Sequence, residues 1–181
     1  MGRKSQILLA LLALLGAFVV GGCGEQTPPS EVEEGEPIEV GELEYNVILT
    51  RFLNPDDEED SAYLAGQPEL EPGELWLGVF VQIENLSDEE TEASYPASQF
   101  RVTDTEGAEY EPLESRSEFA LQFGQQVPPE GELPLPDTPA DTGPIQGAMM
   151  LFRVDDSVTE NRPLDLDIDS FETEVAVVLD I

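Results

Sequence analysis

The sequence predicts an all-β sandwich of about 140 residues behind an exported N-terminal leader. Three observations carry that expectation. Apolar residues recur with a period of two in several short runs, 15 prolines and 15 glycines punctuate the chain, and no stretch sustains a 3.6-residue period for three turns. With 181 residues and 40% apolar composition, the chain has material for one domain with a real core.

The leader comes first. "MGRKSQ" is a short basic start, and residues 7–20 carry no polar side chain, which is the pattern of a signal peptide over residues 1–22. That apolar run is shorter than the roughly 20 residues a spanning helix needs. It ends in Val20-Gly21-Gly22-Cys23, which is similar to the lipobox of bacterial lipoproteins, with Val20 where leucine is commonest. The similarity implies that Cys23 is diacylated and becomes the first residue after cleavage. Cys23 is the single cysteine, so no disulfide forms within one chain. Gln6 stands where N-myristoylation wants Ser or Thr, and Arg3-Lys4 is not a twin-arginine pair. Acyl chains bury methylene groups at about 0.8 kcal/mol each, so the protein is expected at the cell membrane, lipid-anchored on its outer face without spanning it.

Residues 23–37 are the lipidated cysteine and an acidic tether, "GEQTPPSEVEEGEP", too poor in large apolar side chains to order itself. The sandwich is expected over residues 38–181. In "LEYNVILTRFL", Leu43, Tyr45, Val47 and Leu49 fall on one face and Glu44, Asn46 and Thr50 on the other. "LWLGVFVQIEN" places Leu75, Leu77, Val79, Val81 and Ile83 on one face and Trp76 and Phe80 on the opposite one, the pattern of a central strand with a second core face. "FRVTDTEGAEY" is a strand through Phe100 and Val102, a turn at Glu106-Gly107 and a return through Tyr110. Ser157 and Glu160 match a capping box and predict one helical turn. "AMMLFRV" is apolar on both faces. "PLDLDID" sends Leu164, Leu166 and Ile168 inward and Asp165, Asp167 and Asp169 outward, and "VAVVLDI" closes the sheet.

Three segments, "LGVFVQIENLSDEE", "FRVTDTEGAEYEP" and "GPIQGAMMLFRV", resemble a widespread family of bacterial lipoproteins of unknown function with a telokin-like, immunoglobulin-like domain. The resemblance covers residues 41–168 and implies an immunoglobulin-like sandwich in an extracytoplasmic setting. It implies no activity and carries no catalytic residue. "RFLNPDDEEDSAYL" departs from the short loop the family has between its first two strands.

Charge narrows the function classes. Seven Lys and Arg stand against 40 Asp and Glu, with no histidine. Removal of the leader leaves five arginines as the only basic residues and a net charge of about −35. Such a surface repels phosphate backbones and anionic headgroups, which excludes nucleic acid as a partner and direct headgroup adhesion. Without histidine there is no Ser-His-Asp triad and no histidine-bearing zinc site. The expectation is therefore a protein that is not an enzyme and needs no cofactor: a noncatalytic interaction or accessory module with an extracytoplasmic protein partner. A second reading is calcium binding by the acidic loop at residues 54–60, whose Asp56, Asp57, Glu58, Glu59 and Asp60 offer hard oxygen ligands without the spacing of a dedicated calcium loop. A third is a carboxylate-pair hydrolase. Asn85-Leu86-Ser87 fits a glycosylation triplet and, in this setting, a polar turn after the central strand.

Overall fold

The computed structural model describes residues 30–89, 92–170 and 174–181. The expected signal peptide, the lipobox at residues 20–23 and the first part of the tether lie outside the described residues.

Along the chain run β1 (Glu31–Glu33), β2 (Ile38–Val40), β3 (Leu43–Leu53), β4 (Glu74–Asn85), β5 (Glu92–Ala93), β6 (Phe100–Thr103) and β7 (Glu109–Tyr110). There follow β8 (Pro112–Leu113), β9 (Gln126–Val127), β10 (Glu132–Leu133), the short helix α1 (Pro139–Thr142), β11 (Ala148–Asp155), β12 (Leu164–Asp169) and β13 (Glu174–Leu179). One sheet has the order β1-β13-β12-β6-β7; the other has the order β2-β3-β4-β11-β8, with β10 also on β4, while β5 and β9 pair as a small ribbon. The fold is all-β.

The inner core lies between the two sheets, as period-two strands with one buried face require. Val79, Val81 and Met150 of the larger sheet meet Phe100, Leu166 and Val177 of the smaller one there. Tyr45 stacks on Tyr95 at 5.8 Å and meets Phe100 edge-on at 5.9 Å. Its hydroxyl accepts the Tyr95 N–H at 3.2 Å, so the one polar atom it brings inside has a partner. A second core covers the outer face of the larger sheet, where Trp76, Phe80, Met149 and Leu151 are buried against Leu53, Tyr63, Leu64 and Phe119. This explains why β4 and β11 are apolar on both faces, as their sequences indicate.

β12 alternates as its sequence predicts, and β13 pairs with it from Leu179 to Glu174. β3 follows its expected alternation only to Val47. Val47 pairs with Val81 but Leu49 pairs with Phe80, so Ile48 is an extra residue in a β-bulge. One inserted residue inverts the side-chain phase. Leu49, expected inside, is therefore 37% exposed, and Thr50, expected outside, is buried.

The tether expected through residue 37 also needs correction. Glu31–Glu33 is a strand, paired in parallel with β13 and placing Val32 in the inner core. A reverse turn then brings the Glu36 N–H to the Glu33 carbonyl at 3.0 Å, with Gly35 at φ +89°, a conformation that a side chain would strain. The partner strand lies more than 140 residues away in sequence, beyond the reach of local composition. The predicted helical turn is present at Asp156–Thr159, but Asp155 rather than Ser157 occupies the cap position and no side chain caps it.

Candidate functional site

The acidic loop is built on the second core. Past Leu53 the chain crosses the outer face of the larger sheet and is held there by Tyr63, whose ring meets Phe80 at 5.3 Å and Phe119 at 4.6 Å. The Ser117 hydroxyl donates to the Ala62 carbonyl at 2.8 Å. Asp56, Asp57, Glu58 and Glu59 are exposed at the crest. The Asp56 N–H donates to Asn54 Oδ1 at 3.0 Å and the Glu59 N–H to Asp57 Oδ1 at 2.9 Å, so these side chains shape successive turns.

Asp60 is set apart from them. It is 1% exposed, forms an ion pair with Arg51, and accepts the Asn54 N–H at 2.8 Å. Its carboxylate pins both ends of the loop and faces the protein rather than solvent. The structure thus divides the five predicted ligands into four exposed turn residues and one buried latch. Among the described residues, no group of three or more His, Cys, Asp or Glu side chains is arranged to hold a metal ion.

Asn85 is likewise structural. Its side-chain amide donates to the carbonyls of Val127 at 3.0 Å and Pro128 at 3.1 Å, and its Oδ1 accepts the Ser87 N–H at 2.9 Å, fixing the turn that leaves β4.

A feature that local sequence reading missed lies on the outer face of the larger sheet, past the end that the second core covers. Glu39 pairs with Glu44, Glu44 with Glu84, and Glu84 with Glu132, so four glutamates stand in one row across β2, β3, β4 and β10. Burial, then the charges of Glu84 and Glu39, hold the Glu44 carboxyl above its ordinary value. The smaller sheet carries its own array: Glu31 and Glu33 on β1, Glu174 on β13, and Asp165, Asp167 and Asp169 on β12. Burial, with Asp167, Glu31 and Glu33, pushes Asp165 up in the same way. Arg101 binds Glu174 at 2.9 Å, and the Thr103 hydroxyl donates to Asp167 at 2.6 Å. Each acidic residue is visible in the sequence as the polar half of an alternation. The rows depend on strand register, which one strand alone does not specify.

No family model matches the chain, and no curated protein matches it by sequence. Solved structures do. An uncharacterised β-sandwich protein from Clostridium difficile 630 is 15% identical, with 86% of this chain and 97% of that chain covered and a TM-score of 0.50. That likeness shows a β-sandwich fold. The secreted protein MPT63 of Mycobacterium tuberculosis is similar at 12% identity, 84% and 98% coverage and a TM-score of 0.49. The yjhA protein of Bacillus subtilis is similar at 14% identity, 82% and 99% coverage and a TM-score of 0.47.

Proposed function

We propose that this protein is a lipid-anchored, extracytoplasmic, noncatalytic interaction module with an immunoglobulin-like sandwich, held on the outer face of the cell membrane through a diacylated Cys23. The observation that carries the reading is where the chain enters the fold. β1 begins eight residues after Cys23 and lies at the edge of the smaller sheet. Glu31 aligns with Ala176, Asp167 and Arg101, near the start of β13 and of β6. β6 runs from that end to Thr103, and β12 begins at the other end with Leu164 opposite Leu179. An anchor at Cys23 therefore draws one end of the sandwich toward the bilayer and leaves the turns at residues 104–108 and 156–163 at the far end. The carboxylate rows on both sheets repel anionic headgroups and keep the domain standing off the membrane on its tether.

Two measurements on intact cells test the reading. Cys23→Ala is expected to abolish incorporation of labelled palmitate and leave the leader uncleaved. Unchanged lipid labelling and processing in that variant would overturn the anchor. Photo-crosslinkers placed at residues 106 and 160 are expected to capture a specific protein partner, whereas crosslinkers at residues 44 and 167, inside the carboxylate rows, are not. Capture only from the rows would place the interaction on the sheet faces instead.

A further inference from the structure

We propose that β1 is a salt-dependent strap, docked on β13 when the carboxylates it faces are screened and released from that edge when they are not. The hold on β1 is small. It is three residues long, occupies the edge of its sheet, and inserts one apolar side chain, Val32. Its flanks are tied by the Ala176 N–H to the Ser30 carbonyl and by the Glu34 N–H to the Val178 carbonyl, both at 2.9 Å. Short edge pairing of this kind opens locally at far lower cost than the body of the sheet.

Opposing this hold is a block of like charge. Register sets Glu31 beside Ala176, with Asp167 beyond it, and Glu33 beside Val178, with Asp165 beyond it. The two acidic columns thus flank Ala176 and Val178 of β13 and stand about 10 Å apart, two inter-strand spacings. The other charged groups around this face are Asp169, Glu174 and Glu109, together with Arg101, which is engaged by Glu174 at 2.9 Å, and, at the Glu33 end, Asp180 and Arg162, whose guanidinium lies 5.9 Å over the Phe52 ring. No described residue of β1 or β13 supplies a positive charge between the columns.

At about 10 Å in water, each like-charge pair shifts an equilibrium about twofold, so the two rows and their two diagonals together shift it about tenfold. The Debye length is about 30 Å at 0.01 M salt and about 3 Å at 1 M, so the repulsion is felt in the first condition and erased in the second. The pivot is also visible. Glu34 accepts the Thr50 N–H at 3.1 Å and the Asp180 N–H at 3.2 Å, bracketing the two sheets immediately after β1, and Gly35 follows. Release of residues 30–33 bares the Ala176 N–H, which the Ser30 carbonyl had accepted, and opens the β13 edge before Val178 to pairing with another extended segment. None of this depends on the lipid anchor.

Residue-resolved amide hydrogen exchange on the full chain tests the strap. Between 0.01 and 1 M NaCl, protection of the Ala176 amide is expected to rise about tenfold more than that of Leu166 in the middle of the same sheet. In the Glu31→Gln, Glu33→Gln double variant this excess is expected to disappear while Leu166 is unchanged. If Ala176 and Leu166 respond to salt in parallel, or if the double variant keeps the full excess, β1 is a permanent strand and the proposal fails.

Discussion

Asp60 and Asp104 are buried carboxylates whose oxygens are taken up by nearby donors, and each holds a turn rather than a ligand. Asp60 ties Arg51 to the Asn54 N–H across the acidic loop. An asparagine there would present an amide to a guanidinium that can only donate, so Asp60→Asn is expected to cost about 2 kcal/mol. Asp57→Asn keeps the oxygen that accepts the Glu59 N–H and is expected to change stability by less than about 0.5 kcal/mol. Urea denaturation distinguishes them, and equal costs would deny Asp60 its role as the latch. For Asp104, burial pushes the pKa up, but hydrogen bonds from the Ala108 N–H, the Asn161 amide and the Glu106 N–H outweigh it and hold the carboxyl below its ordinary value. A depressed folded pKa gives stability that is fully present above the unfolded value and lost as pH falls through the folded one. Asp104→Asn is therefore expected to be less stable than the parent at pH 7 and to converge on it below about pH 4, in denaturation curves taken across pH.

The elements show the opposite sign. Glu44 sits between Glu39 and Glu84 in a row of like charges, and its pKa is raised. A raised carboxylate weakens the fold above its folded pKa, and the penalty vanishes as pH falls below the unfolded value. Glu44→Gln is expected to stabilise by about 0.5 kcal/mol at pH 7 and to have no effect near pH 3; destabilisation at pH 7 would mean that the row is not repulsive. Local alternation was enough to read β4, β11 and β12, because each strand's two faces meet different surroundings at every residue. It failed where a property belongs to a pair of strands. The Ile48 bulge shifts Leu49 outward because of how β3 meets β4, and β1 exists because Val32 finds a place beside Val177. The same limit hid the glutamate row and the burial of Asp60, whereas the exposure of Asp56 to Glu59 follows from four consecutive acidic side chains. Residues 51–64, at the end of β3 and in the connection to β4, supply Leu53, Tyr63 and Leu64 to the second core.

At the scale of the molecule, the chain carries a formal charge of −33 and both sheets present carboxylates in register, so self-repulsion opposes the compact state. Three ion pairs among the described residues offset little of it, and all three include a partly exposed arginine. Screening should therefore stabilise the whole sandwich. The melting temperature of a chain beginning at residue 24 is expected to rise by about 5 °C between 0.05 and 2 M NaCl. A chain beginning at residue 38 lacks β1 and the Glu34 bracket and is expected to melt lower at every salt concentration. Calcium chloride separates screening from binding. At matched ionic strength it is expected to match sodium chloride, because the acidic loop spends Asp60 on Arg51 and Asp57 on its own backbone. A calcium-specific rise at low concentration that Asp56→Asn with Asp57→Asn abolishes would instead make the crest of the loop a cation site. The same rise surviving that variant but lost in Glu44→Gln would assign it to the glutamate row, where four carboxylates face solvent with no basic residue among them.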